Sequence, residues 1–105
     1  MDSPHYLANF AAGVFICNCL PHLACGLRGE TFPTPFAKPP GRGQSSALVN
    51  TIWGVLNLIV GWALLSFAPV SISWSKGSLF FLAGFVAIGL HLSRHFAAVR
   101  QSPPP

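Results

Sequence analysis

Residues 47–68 read ALVNTIWGVLNLIVGWALLSFA and form the longest clearly apolar segment in the middle of the chain. It contains no charged residue, and it exceeds the roughly 20 residues that a helix needs to cross the hydrocarbon core of a bilayer. A helix is favoured over a strand, because lipid offers no partners to an open backbone and the apolar and polar residues do not alternate. The stretch therefore predicts a transmembrane helix.

Two further uncharged stretches lie on either side of it, at residues 6–27 and 77–93. The first is long enough to span a bilayer, and the second is slightly short, so we expect its helix to continue to about residue 96. Residues 28–46 are expected to form a loop rich in Pro and Gly, and residues 101–105 a Pro-rich tail. The predicted fold is an all-α integral membrane protein, a single membrane domain of three transmembrane helices in a small bundle.

Composition excludes a water-soluble monomer. Of the 105 residues, 51% are hydrophobic and only 8% are charged, whereas roughly a quarter of the residues in a soluble domain are charged. The net charge of +4 comes from short clusters separated by long neutral runs, unlike the dense basic face of a nucleic-acid-binding protein. Lipid is therefore the expected partner, and nucleic acid is not.

The first apolar segment shares one feature with a cleavable signal peptide, since it begins close to the amino terminus. However, no Lys or Arg precedes it, and its apolar run is longer than that of a signal peptide. His22 also stands where a small residue would precede a cleavage site. We expect this segment to be retained as a helix.

The distribution of Lys and Arg predicts the orientation, because short loops rich in these residues stay on the cytoplasmic side. Three spans place the first loop and the carboxyl terminus on one side, with five basic residues: Arg28, Lys38, Arg42, Arg94 and Arg100. Only Lys76 lies on the other side. The expected arrangement has the amino terminus outside and the carboxyl terminus in the cytoplasm, in a bacterial inner membrane.

The loop at residues 28–46 contains four prolines and three glycines, so a long helix or strand is excluded there. We expect a connector at the membrane interface, with Phe32 and Phe36 dipping into the headgroup region. A gate or a docking loop for a partner is the alternative. Ser45 or Ser46 is expected to cap the amino end of helix 2.

Three cysteines and a histidine in helix 1 resemble a metal site at first: Cys17, Cys19, His22 and Cys25. On a helix that turns by about 100° per residue, these side chains spread over roughly 200° and cannot converge on one ion without unwinding at Pro21. We expect neither a metal nor a disulfide framework, but reduced thiols that fill helix contacts.

Cationic side chains near the cytoplasmic ends of the helices are predicted to contact lipid headgroups. His91, Arg94 and His95 are spaced at i, i+3 and i+4 and form one patch at the end of helix 3. Lys38 and Arg42 in the loop are expected to bind the same anionic phosphates. A haem held by two of the histidines is the weaker alternative, and no cofactor is predicted.

His22 is the candidate for a titrating group inside the membrane. An ionisable residue within a span indicates a functional site by default, because its charge is costly in hydrocarbon. We expect Glu30 or His91 to be its neighbour.

One face of helix 2 carries small and polar residues at i, i+3, i+4, i+7 and i+11, namely Asn50, Trp53, Gly54, Asn57 and Gly61. Gly84 in helix 3 and the series Asn9, Gly13 and Cys17 in helix 1 offer matching small faces. Small residues let helix backbones approach closely, and an amide that is costly in lipid forms hydrogen bonds across the contact. These faces are predicted helix interfaces.

The chain contains two acidic residues and no motif typical of hydrolytic or nucleophilic catalysis. The predicted function is therefore non-enzymatic: an accessory or structural subunit that acts through helix contacts, with a larger membrane protein or further copies of itself. The alternative is an oligomeric transporter or channel for a small solute, with Asn50 and Asn57 lining the path.

Overall fold

A computed structural model of the protein describes residues 5–101, which form three long helices. These are α1 (Tyr6–Leu27), α2 (Ala47–Phe67) and α3 (Lys76–Gln101), and each is long and apolar enough to cross a membrane. The described residues contain no β-strand, only an isolated bridge between Phe32 and Ser45. The predicted all-α fold with three membrane-spanning helices is confirmed.

The ends of two helices follow from local chemistry. Ser46 caps α2, because its hydroxyl oxygen accepts a hydrogen bond of 3.1 Å from the amide of Val49, as the sequence predicted. Helix α1 ends at Leu27, where the chain turns at Gly29 with a φ of 76°. A positive φ is strained for residues with a Cβ and is open to glycine.

The predicted end of helix 3 near residue 96 is wrong, since α3 continues to Gln101. At 1.5 Å per residue its 26 residues measure about 39 Å, more than the ~30 Å hydrocarbon core. The last turns therefore extend beyond the lipid, where the loop packs on Phe96. Gln101, predicted to begin the tail, is helical, and residues 102–105 lie outside the described part of the chain.

Helix α1 is the centre of the bundle. It packs against α2 on one side and α3 on the other, and these two outer helices do not contact each other anywhere in residues 5–101. The expectation that small faces join the helices holds for both contacts of α1. It does not extend to a contact between α2 and α3.

The contact between α1 and α3 depends on two glycines that face the opposite backbone. A Cβ added to Gly13 would collide with the carbonyl of Phe81, and a Cβ added to Gly84 would collide with the carbonyl of Phe10. Since backbone cannot move aside as a flexible side chain does, only glycine permits this approach. The two helices are thus held at close distance by reciprocal glycine contacts.

The outer faces of α2 and α3 carry large exposed apolar side chains. Examples on α2 are Leu48, Ile52, Ile59, Trp62 and Phe67, and examples on α3 are Leu79, Phe80, Leu82, Val86 and Leu90. A surface of this extent is unfavourable in water and favourable against lipid tails. The chain is a multi-pass membrane protein whose outer surface contacts the bilayer.

The loop between α1 and α2 is folded against the helices. Thr34 is almost fully buried, and its carbonyl oxygen accepts hydrogen bonds from the amides of Ala37 and Gly41. The Phe32 ring packs on Phe96 at 4.5 Å between centroids. The expectation that Phe32 dips among lipid headgroups is therefore wrong, because this ring is buried inside the bundle end; Phe36, in contrast, is 63% exposed.

Candidate functional site

The candidate site lies at the loop end of the bundle and begins with a buried histidine. His22 is 3% exposed, and its Nδ1 lies 2.8 Å from Oδ1 of Asn50 on α2. The other amide atom of Asn50, Nδ2, donates to the carbonyl oxygens of Phe32, Ser46 and Ser45 at 2.9, 3.0 and 3.2 Å. Asn50 thus joins α1, α2 and the loop through one side chain.

These contacts determine which nitrogen of His22 carries the proton. An amide nitrogen donates and cannot accept, so the Asn50 atom that faces three carbonyls is the nitrogen and the atom that faces His22 is an acceptor. His22 Nδ1 must therefore donate. In the neutral ring, Nε2 then carries the lone pair and is the atom left for a ligand.

A second amide pair lies deeper in the membrane. Asn18 on α1 donates from Nδ2 to Oδ1 of Asn57 on α2 at 2.9 Å, and Asn57 Nδ2 donates to the carbonyl oxygen of Trp53 at 2.8 Å. Both polar atoms of Asn57 are therefore engaged inside the chain. An amide pair of this kind replaces water and links helices whose outer surfaces face lipid.

Next to His22 a cleft of about 200 Å³ opens between α1, the end of α3 and the loop. Its polar side chains are Asn18, His22, Thr34, Trp53, His91 and His95. Its apolar side chains are Pro33, Pro35, Leu92 and Phe96. A cleft with an apolar lining and a few convergent polar groups is the usual form of a site for a small molecule.

The indole of Trp53 carries a buried hydrogen-bond donor, Nε1, that has no acceptor among residues 5–101. A buried donor without a partner costs roughly 1–3 kcal/mol, and each such group in a folded protein calls for an explanation, such as a ligand or a water. Trp53 therefore has a donor that lacks an acceptor, and the same residue is one of those that line the cleft.

Two histidines of α3 form the opposite wall. The rings of His91 and His95 are nearly parallel, with centroids 6.2 Å apart. His95 Nε2 lies 2.6 Å from the carbonyl oxygen of Gly41 and donates to it, because a carbonyl only accepts. His95, predicted as a headgroup ligand, thus also attaches the loop to α3, while His91 is exposed at the edge of the cleft.

The remaining predicted headgroup ligands surround this end of the bundle. Lys38, Arg42 and Arg94 are exposed, and Arg42 and Arg94 are neighbours in sequence of lining residues. The lining itself contains no carboxylate. This end of the molecule therefore favours an anion at the mouth of the cleft.

Glu30, predicted as a neighbour of His22, is not one. Its carboxylate pairs with the guanidinium of Arg28 at 2.7 Å. The hydrogen bond from Arg28, and then its charge, hold the pKa of Glu30 below its usual value. Both side chains are more than half exposed, so the pair contributes little to stability, and the partner of His22 is Asn50.

The cysteines of α1 do not form a metal centre with His22. Cys17, Cys19 and Cys25 are buried free thiols, and Cys19 Sγ lies 2.9 Å from the carbonyl oxygen of Ile16. Within residues 5–101, no group of three His, Cys, Asp or Glu side chains is arranged to hold a metal ion. Helix α1 runs through Pro21 as one helix, so no unwinding brings these side chains together.

The glycines predicted at helix interfaces lie at the two contacts of α1. A Cβ on Gly54 would press on the Leu23 side chain and one on Gly61 on the Ile16 side chain, both on α1. Gly84 faces the α1 backbone. The sequence-based prediction missed Asn18, although an asparagine inside an apolar span is itself a signal, and it missed Phe96, whose role depends on the folded loop.

These features define the class of the protein: a three-helix, multi-pass membrane protein with a polar cleft at one end. Comparison of the chain with models of protein families, with curated proteins and with solved structures finds no significant match. The function is therefore argued from the geometry of the chain's own residues.

Proposed function

We propose that this protein is a non-enzymatic accessory or structural subunit of a bacterial inner membrane. It acts through helix contacts with a larger membrane protein or with further copies of itself. Its amino terminus lies outside and its carboxyl terminus in the cytoplasm. The orientation is supported by charge, since the basic loop packs on the basic end of α3 through His95 and Gly41, and Lys76 lies at the start of α3.

The observation that carries the proposal is the surface of α3. This helix packs on α1 along one side only, and Gly84 is its single fully buried residue among those described. Its outer face exposes Ala83 and Ala87, one turn apart. Small side chains at this spacing allow another helix to approach closely in lipid. Both outer helices also expose large side chains, but α2 exposes a single alanine, Ala63, and no such pair.

The alternative of a channel lined by Asn50 and Asn57 is less well supported. Both amides are buried and form hydrogen bonds within one chain. Lining a water-filled path would require them to break those bonds. The same side chains are accounted for as links between α1 and α2.

The proposal is tested by crosslinking in native membranes. The protein is purified after mild crosslinking, either unchanged or with Ala83 and Ala87 both replaced by Leu. We expect discrete crosslinked species for the parent and a loss of most of that yield for the double variant, because two bulky side chains hold a neighbouring helix away.

The matched control is Ala63→Leu, at an exposed alanine on the outer face of α2. Leucine is well accommodated by lipid, so the control keeps the crosslinked species and shows that added bulk alone is harmless. A parent protein that stays strictly monomeric and crosslinks to nothing would refute the proposal. Equal losses in both variants would refute the assignment to α3.

A further inference from the structure

The cleft beside His22 has a definite hydrogen-bonding character. Asn18 uses its Nδ2 on Asn57, so its Oδ1 remains as an acceptor. His22 uses Nδ1 on Asn50, which leaves the Nε2 lone pair of the neutral ring. His95 donates from Nε2 to Gly41, which leaves Nδ1 as an acceptor in the same way.

The donors are the N–H of the His91 ring and the buried Nε1 of Trp53, which has no partner in the described part of the chain. A carboxylate or phosphate offers only acceptors and would leave the three acceptors unmatched, and an ammonium group offers only donors. A hydroxyl group does both, because it donates one hydrogen bond and accepts two. Two or more hydroxyls match the lining best.

The surroundings of the cleft supply the second part of the ligand. Two exposed arginines are neighbours in sequence of lining residues. Arg42 directly follows Gly41, and Arg94 directly precedes His95. Their positive charges favour a phosphate at the mouth. The apolar lining, which includes Leu92 and Phe96, suits the carbon atoms of a short polyol.

We propose that this cleft binds a polyol phosphate ester, with its hydroxyls inside among His22, Asn18 and Trp53 and its phosphate at the mouth beside Arg42 and Arg94. The same chemistry is offered by the glycerol headgroup of phosphatidylglycerol and by soluble glycerol phosphate. The cleft requires the folded chain but no contact between the outer face of α3 and another protein. The failure of this proposal and the failure of the proposed subunit role can therefore be told apart.

The test compares lipids by native mass spectrometry of the full-length protein in detergent. Phosphatidylglycerol and phosphatidylethanol carry the same charge and differ in the hydroxyls of the headgroup. We expect phosphatidylglycerol to bind about tenfold more tightly, the factor that corresponds to roughly one net hydrogen bond. Soluble glycerol 3-phosphate is added as a competitor: displacement of the lipid shows that the free ester also fits, and its failure assigns the site to the lipid.

The decisive variant is Trp53→Phe, which keeps an aromatic ring and removes the N–H. Because this N–H has no partner among residues 5–101, the substitution breaks no hydrogen bond within that part of the chain. We expect the affinity of this variant for phosphatidylglycerol to fall roughly 3- to 10-fold, so that it approaches the affinity for phosphatidylethanol. The matched control is Trp62→Phe on the same helix, at a side chain 69% exposed on the lipid-facing side, which leaves the preference unchanged.

Three results would overturn the proposal. The first is equal binding of the two lipids, which would mean that the site recognises charge alone. The second is an unchanged preference in the Trp53 variant, which would mean that water and not the ligand accepts the hydrogen bond from the indole N–H. The third is no retention of either lipid together with no binding of glycerol 3-phosphate.

Discussion

Single residues hold α1, α2 and the loop together at the loop end of the bundle. Asn50 is fully buried and holds His22 of α1 on one side and three backbone carbonyls on the other. Without Asn50 the His22 N–H would have no partner in a poorly hydrated region, whereas each of the three carbonyls also accepts a backbone amide. One amide therefore determines both the tautomer of His22 and the position of the loop.

Replacing Asn50 by Ala is expected to be more destabilising than replacing Asn57 by Ala. The first change leaves the buried His22 N–H without its acceptor, at a cost of roughly 1–3 kcal/mol, and also removes the amide that joins α2 to the loop. The second removes one interhelical hydrogen bond, worth about 0.6 kcal/mol on average in membranes. Thermal unfolding in detergent, followed by circular dichroism, measures both.

The Asn57 variant serves as the control for loss of an asparagine from the same face of α2. Equal effects of the two substitutions would mean that the loop contacts add nothing. An Asn50 variant as stable as the parent would refute the central role given to this side chain.

At the scale of elements, α1 is unusual in presenting two packing faces. Gly13 and Cys17 face α3, whereas Ile16 and Leu23 face α2. A helix whose neighbours lie on both sides must carry small or well-fitting residues around much of its surface. The outer helices need only one such face, and the rest of their surface is left to lipid.

Two glycines of α3 provide a matched pair for testing the contact with α1. Gly84→Ala places a Cβ against the backbone carbonyl of Phe10 and should force the helices apart, with a loss of roughly 1–3 kcal/mol. Gly89→Ala places its Cβ at 3.4 Å from Cys17 Sγ, an ordinary contact. This second variant gains helix propensity, up to about 1 kcal/mol.

Unfolding temperatures in detergent distinguish the two glycine variants. We expect the Gly84 variant to melt below the parent and the Gly89 variant to melt at or above it. A Gly84 variant that melts like the parent would show that α1 and α3 are not held by this close approach.

The whole molecule is polarised along its long axis. The loop, the end of α3 and their basic residues lie at one end, and the segment between α2 and α3 lies at the other. Since positively charged loops stay in the cytoplasm, this polarity supports one orientation in the membrane. It also places the polar cleft at the cytoplasmic end in that orientation.

The orientation is tested by labelling single introduced cysteines with a membrane-impermeant maleimide. Ile72→Cys lies in the segment between α2 and α3 and is fully exposed, and Gln44→Cys lies in the basic loop. We expect intact cells to label the first and permeabilised cells to label both. The parent, whose three thiols are buried, gives the background, and the reverse pattern would contradict the proposed orientation.

Much of the fold is local and was predictable. The bounds of α1 and the start of α2 follow from uncharged runs and from the Ser46 cap. The small and polar face of α2 is likewise readable from spacing, since residues three and four apart share a helix face. The end of α3 was not predictable from charge gaps, because its last turns leave the lipid and pack on the loop.

The partners within the candidate site were not predictable. Of the two neighbours predicted for His22, Glu30 pairs with Arg28 instead, whereas His91 lines the same cleft. The hydrogen-bond partner of His22 is Asn50, 28 residues away, and Asn18, which pairs with Asn57, is not among the predicted residues. The spacing of residues along one helix shows which of them share a face. It does not show which face of another helix these residues contact.

The sequence alone determined that this protein spans a membrane with three helices, because the length and apolarity of each segment are properties of neighbouring residues. The folded structure was needed to establish that α1 lies between two helices that do not pack on each other and that the loop buries Phe32 against Phe96. It also decided that Trp53 is left with an unused N–H beside a cleft. These features arise from contacts between residues distant in sequence, whose energies depend on how whole surfaces fit together.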